Sequence, residues 1–319
     1  MSVRTRERGA EKPVDWHRMM IVVLDTGSRG ALTSGTGLAP SVEGGSTARY
    51  VTKVHDERFL LESRTVLRAS GVTERGAVRR TNEDCFAIDL DHHLCVIADG
   101  MGGHNAGEVA ARVAVEAIVG CVRHASGPGA FEWSFGFDPK ISETANLLRT
   151  AVQHANAQVL EAANSSDDYS GMGTTVVAAL FREQTLSLVH AGDSRGYLLV
   201  DHRLRQLTRD DSWVVAMLDR DPEADPKLLR HHPMRNALTN VVGGGPVPQV
   251  HFDEQALQHG AVVALTTDGV HGVLEAGVIE RLLYEGADVE QMAENLVREA
   301  LAGGSRDNCS AVVAQFLED

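Results

Sequence analysis

Acidic motifs at the ends of short apolar runs constrain the fold of this chain more than any other feature. They are Asn82-Glu83-Asp84, Asp99-Gly100-Met101-Gly102-Gly103, Gly192-Asp193-Ser194-Arg195, Asp268-Gly269 and Asp307-Asn308. Asp99 follows Leu94-Cys95-Val96-Ile97-Ala98, and Asp268 follows Val262-Val263-Ala264-Leu265-Thr266-Thr267. One carboxylate at a strand end is ordinary. A set spread from Glu83 to Asp307 predicts a fold that carries distant strand ends to one point. Clustered carboxylates repel, so that point needs a cation, and oxygen-only ligands favour a hard ion such as Mg²⁺ or Mn²⁺.

The pattern between the motifs sets the fold class. Residues 86–90 and 94–98 read as a hairpin across Asp91-His92-His93. Residues 108–122 have helical spacing, with Val109, Val113, Ala117 and Cys121 on one face, and 142–163 follow with Leu148, Val152, Ala155 and Val159. Strands are predicted at 174–181, 185–190 and 196–200, with 204–207 pairing back across Asp201-His202. Short helices at 212–219 and 222–231, a strand at 261–266, helices at 277–284 and 289–301, and a last strand at 310–316 complete the domain. Strands come in blocks joined by short turns rather than in βαβα alternation. That predicts an α+β fold of layered, mostly antiparallel sheets.

Residues 1–64 differ from the rest. The stretch 26–47 is rich in Gly, Ser and Thr and reads as linker or disorder. Residues 19–24 could form an isolated strand, but the run falls far short of the ~20 apolar residues that span a bilayer. The expected organisation is an N-terminal extension over 1–64 and a catalytic domain over 65–319. With no signal-peptide pattern in the charged first residues, the expected location is the cytoplasm. The net charge of −14 argues against nucleic acid or an anionic membrane as the main partner. Cys85, Cys95, Cys121 and Cys309 form no CxxC pair, so buried thiols are expected rather than zinc ligands.

Each motif has a plainer reading. Asp99-Gly100 could be a glycine-rich turn, and Asp268 or Asp307 alone is more often a cap than a ligand. Their recurrence at strand ends favours ligands. Glycines at 100, 102 and 103 let the backbone approach a bound group closely. Arg79, four residues before Glu83, offers a fork that matches a phosphoryl group, with Arg80 as the competing candidate. GxGxxG, Walker and HExxH patterns are absent, which weakens nucleotide-binding and zinc-protease readings, and an α/β-hydrolase triad around Ser194 is unsupported.

Taken with Gly171-Met172-Gly173-Thr174-Thr175 and Leu207-Thr208-Arg209-Asp210, these ordered motifs resemble the metal-dependent protein phosphatases of the 2C type, in their bacterial serine/threonine form. The resemblance implies a four-layer α-β-β-α sandwich with a metal centre at one end. By position, Asp99 would bridge two Mn²⁺ or Mg²⁺ ions. Asp268 and Asp307 would complete the first site. The Gly100 carbonyl would serve the second, with Glu83 and Asp84 holding its waters. Asp193, with Asp268, would hold a looser third ion. Arg79 would bind the substrate phosphate, so that Arg79, Asp99, Asp268 and Asp307 carry the catalysis. Residues 210–235 would be the variable flap.

The implied activity is hydrolysis of phosphoserine and phosphothreonine in phosphorylated proteins, opposite a protein kinase. A dedicated phosphatase for one regulatory protein is the rival within the class. A catalytically inactive phosphoprotein-binding module is the rival outside it, favoured by loss of a core carboxylate; none is lost. The chain departs from the family at Asp210-Asp211-Ser212, where Asp-His-Ser is usual. That change is expected to alter substrate contact without removing metal. Met101 stands where eukaryotic members place a histidine acid; His104 could replace it, although a cap or packing role is favoured.

Overall fold

The computed structural model describes residues 48–51, 65–103, 106–128, 130–225, 228–229 and 232–318. The run 19–24, the linker 26–47 and His104 lie outside them, and the helix expected at 222–231 lies partly outside. The apolar runs fold as strands buried on both faces, which is why they read as nearly unbroken hydrophobic stretches. One sheet has the order β1 (Ala48–Val51), β2 (Thr65–Glu74), β12 (Cys309–Glu318), β11 (Val262–Thr266), β8 (Arg195–Val200) and β9 (Arg203–Gln206). The second runs β10 (His251–Ala256), β7 (Thr185–Ala191), β6 (Val176–Arg182), β4 (Leu94–Met101) and β3 (Asp84–Asp89), with β5 (Gly173–Thr174) paired to the end of β4. Every strand pairing among the described residues is antiparallel.

Alternation along each strand builds three cores. Cys95 and Ile97 of β4 meet Val263 and Leu265 of β11 between the sheets, together with Phe181, Leu188 and Phe316. Leu94, Val96 and Ala98 face the other way, against α1 (Ala106–Ala125) and α2 (Glu143–Ser165). Val262 and Ala264 pack against the second helical layer. After α3 (Trp213–Arg220), that layer comprises the single turn α4 (Asp268–His271), α5 (Ala276–Glu285) and α6 (Val289–Ala302). The result is the four-layer α-β-β-α sandwich expected.

The hairpin of β3 and β4 and the return of β9 across Asp201-His202 form as predicted. Both turn residues have positive φ, 50° and 60°, which suits a tight two-residue hairpin. Ser142 caps α2, accepting from the Ala145 N–H at 2.9 Å, and all four expected apolar residues of that helix are buried.

Three features differ from expectation. Helix α1 buries Ala110, Ala111, Ala114, Val115 and Ile118, while Val109, Val113 and Cys121 lie only partly buried at the edge of the stripe. Its alanines, weak in a hydrophobicity pattern, allow close approach to α2 and the sheet. Strand β10 carries its exposed residues, among them Phe252, on the outer face of an edge, so its pattern conceals it. Strand β1 lies before residue 65 and pairs with Ser70–Thr73 of β2.

Candidate active site

Five segments bring their acids to one rim of the sandwich. Strand β3 starts at Asp84, directly opposite Asp99 near the end of β4. Asp268 opens the single turn that follows β11, Asp307 precedes β12, and Asp193 lies between β7 and β8. The two sheets are joined at this rim by hydroxyls: Thr267 and Ser310 donate to Asp84 Oδ2 at 2.9 and 2.6 Å. The carboxylate of Asp268 lies within hydrogen-bonding reach of Asp99.

The electrostatics follow from burial and repulsion. Burial raises Asp84 to about 7, despite its two hydroxyl donors, with Asp268 and Asp307 adding to the shift. Asp99 is held well above the usual carboxylate range by burial and then by Asp84, Asp268 and Asp193. Burial also raises Asp268, and it lifts Asp193 to about 7. Glu83, on the loop before β3, is raised by partial burial. Such a field favours protons or cations at the same place.

Two observations test the fit of a cation. Asp84 Oδ1 and Asp268 Oδ1 are buried and accept no hydrogen bond. A buried carboxylate oxygen without a donor is costly, and a hard cation offsets that cost. Among the described residues no three His, Cys, Asp or Glu side chains are gathered tightly enough to hold an ion by themselves. The fit therefore rests on the donor chemistry and the orphaned oxygens, not on a closed cage.

The backbone is shaped around the acids. Gly100 donates its N–H to the Glu83 carbonyl at 3.1 Å, and a Cβ there would stand 2.0 Å from the Gly107 carbonyl oxygen. Only glycine permits that approach of β4 to α1. Arg79 lies on the loop between β2 and β3, and its Nη2 donates to Asp307 Oδ2 at 2.5 Å. Arg79, not Arg80, makes this pair.

Residues 77–317 match the Protein phosphatase 2C family. The chain belongs to the protein phosphatase 2C family. Serine/threonine protein phosphatase PstP of Mycobacterium tuberculosis is 33% identical over 256 residues, covering 79% of this chain and 46% of the relative. The chain thus spans about half the length of that relative. Serine/threonine phosphatase stp of Listeria monocytogenes is 30% identical over 246 residues, covering 76% of this chain and 93% of the relative. Among solved structures, the catalytic domain of PstP in complex with two manganese ions superposes with a TM-score of 0.66 at 33% identity, covering 80% of this chain and all (100%) of that one.

Several residues that position the acids of this 2C-family chain carry no role in the sequence reading. Thr175 Oγ1 accepts from the Asp99 N–H at 3.0 Å, and Thr174 Oγ1 donates to the Asp99 carbonyl at 2.9 Å. Thr175 also bonds Ser194 at 2.7 Å, which ties the neighbour of Asp193 to Asp99. Asn308 accepts from the Glu83 N–H at 2.9 Å and donates to the carbonyls of Arg75 and Thr81 at 2.9 and 3.0 Å. Buried His271 faces Thr266 Oγ1 at 2.8 Å and the Asp193 backbone; burial holds its pKa well below the usual value. The available signal was a hydroxyl or amide beside three of the acids: Thr267 before Asp268, Ser194 after Asp193 and Asn308 after Asp307.

Proposed function

We propose that this chain is a metal-dependent phosphoprotein phosphatase that hydrolyses phosphoserine and phosphothreonine. The supporting observation is the rim of buried Asp84 and part-buried Asp99, Asp193 and Asp268, with orphaned oxygens on Asp84 and Asp268, set beside the Arg79–Asp307 pair. The catalytic unit is residues 65–319. Residues 1–64 form an extension, from which Ala48–Val51 pairs onto β2.

In this reading Asp99, Asp268 and Asp307 hold one Mn²⁺ or Mg²⁺ ion. Asp99 and the Gly100 carbonyl hold a second, with Glu83 and Asp84 orienting its waters. Asp193 and Asp268 hold a weaker third. Such ions supply an acidified water and offset charge on the phosphoryl oxygens. The chain supplies position. Arg79, half exposed at the mouth, can turn from Asp307 to a substrate phosphate, where a guanidinium fork binds two oxygens. Thr174, Thr175 and Asn308 fix the backbone from which the acids project. The substrates are phosphorylated proteins, among them a serine/threonine kinase as regulatory counterpart, in the cytoplasm. No helix among the described residues is long and apolar enough to cross a membrane.

Hydrolysis of an aryl phosphate and of a phosphothreonine peptide, each measured with Mn²⁺, with Mg²⁺ and with chelator, tests the proposal. Turnover of both with metal and neither with chelator is expected. Peptide binding without turnover under every condition would leave the inactive binding module instead.

A further inference from the structure

Asp211 stands where 2C-type phosphatases usually carry the histidine of Asp-His-Ser, and its side chain turns inward. Its Oδ2 accepts from the Gly192 N–H at 3.0 Å and from Asn240 Nδ2 at 2.6 Å. Its Oδ1 lies 2.9 Å from His251 Nε2. The backbone of the same residue is equally engaged: Asp211 N donates to the Gly192 carbonyl at 3.0 Å, and the Asp211 carbonyl accepts from Thr239 N at 2.8 Å. Only 13% of the side chain is exposed.

These contacts join three segments that sequence separates. Gly192 precedes Asp193, the acid assigned to the weaker ion. Its φ is +104°, and a Cβ there would stand 2.7 Å from Thr175 Cβ, so the residue must be glycine and has no side chain to anchor its peptide. Asp211 grips Gly192 through both its N–H and its carbonyl. Asp211 also stands at the neck of the flap. Ser212 bridges to Leu238, and Trp213 N donates to the Ala237 carbonyl at 2.8 Å, so the flap leaves and returns through one short ladder. Finally His251, on β10, stacks on His190 of β7, with centroids 4.9 Å apart and planes at 25°.

We propose that Asp211 is a positioning residue that locks the Gly192–Asp193 loop and the neck of the flap into one unit. Occupancy at Asp193 and placement of the flap are thereby coupled through a single carboxylate. The residue type matters. Two carboxylate oxygens can accept from Gly192, Asn240 and His251 at once, whereas a neutral imidazole has one acceptor nitrogen. The exchange of histidine for Asp211 therefore adds an internal strut rather than altering a substrate contact. The coupling to an ion rests on the proposed metal-dependent reading; the strut itself does not.

Asp211→Ala removes both acceptor oxygens and leaves the Gly192 N–H, Asn240 and His251 without this partner. In chelator, amide hydrogen exchange at Gly192 and Thr239 should quicken roughly tenfold or more in Asp211→Ala, with β11 and β12 unchanged. Asp219→Asn, on the exposed flap surface, should leave both amides as in the parent. With Mn²⁺, calorimetry on Asp211→Ala should still show the tight ions. The Mn²⁺ concentration for half-maximal activity should rise about tenfold, and Asp193→Ala combined with Asp211→Ala should lose no more than Asp193→Ala alone. Unchanged Gly192 exchange in Asp211→Ala would overturn the strut. Fully additive losses in the double variant would overturn the coupling. Asp193→Ala by itself reports on the ion reading: if its Mn²⁺ dependence equals the parent's, that reading fails separately and takes the coupling with it.

Discussion

Arg79 donates to Asp307 across 2.5 Å although 228 residues separate them in sequence. The Arg79 side chain is half exposed, so the pair contributes little to stability and its value must lie elsewhere. Arg79→Ala should leave unfolding free energy within about 0.5 kcal/mol of the parent. It should raise KM for a phosphopeptide roughly tenfold or more, the cost of a charge-assisted bond to phosphate. Arg79→Lys should recover little, because a point charge lacks the fork. Unchanged KM in both variants would remove Arg79 from the phosphate site.

Asp99 stands opposite Asp84 and within reach of Asp268, the position expected of a bridging ligand. Asp99→Asn, Asp268→Asn and Asp307→Asn should each nearly abolish metal-dependent turnover. All three should fold. The inter-sheet core buries large side chains at about 1.5–3 kcal/mol each, and losing one charge from the rim relieves repulsion. Near-parent turnover in purified Asp99→Asn would sink the two-ion reading.

Asp84 makes metal-free stability depend on pH. Its carboxyl is raised to about 7 in the fold, mainly by burial. A raised carboxyl binds its proton more tightly folded than unfolded. Its contribution to stability is therefore fully present below the unfolded value of about 4 and is lost as pH rises to about 7. Asn at this position keeps an oxygen for Thr267 and Ser310 and has no proton to lose. In chelator, Asp84→Asn should melt above the parent at pH 8, with the gap closing towards pH 5. Thermal scans showing a gap independent of pH would contradict this.

Asn308 binds three backbone groups of the loop that carries Arg79 and Glu83, and it is buried. Asn308→Ala should cost about 2–3 kcal/mol, since each lost bond is worth roughly 1 kcal/mol and buried partners are left unsatisfied. Denaturant unfolding measures that loss, and phosphopeptide KM should rise with it because Arg79 loses its platform. A loss below about 0.5 kcal/mol would show that the loop is held by other contacts.

Much of the architecture was legible because strands buried on both faces appear as dense apolar runs, and Leu94 to Ala98 and Val262 to Thr266 are such runs. Strand β10 was not. An edge strand with Phe252 turned outward and polar residues inward lacks the alternation that signals a sheet. The face of α1 was misjudged because packing there is decided by small side chains, which a hydrophobicity pattern undervalues.

The sequence by itself determined which acids belong to the rim, since Asp99, Asp193, Asp268 and Asp307 each stand at the end of a recognisable run. Their number and chemistry demand a cation wherever the chain folds. Tertiary structure alone decided what holds them. Thr175 reaches Asp99 and Ser194, Thr267 and Ser310 reach Asp84, and Asp211 reaches Gly192 across separate strands. These hydroxyls and this carboxylate look ordinary in sequence. A hydrogen bond depends on a distance of about 3 Å and a direction, and only the register of two sheets packed face to face sets both.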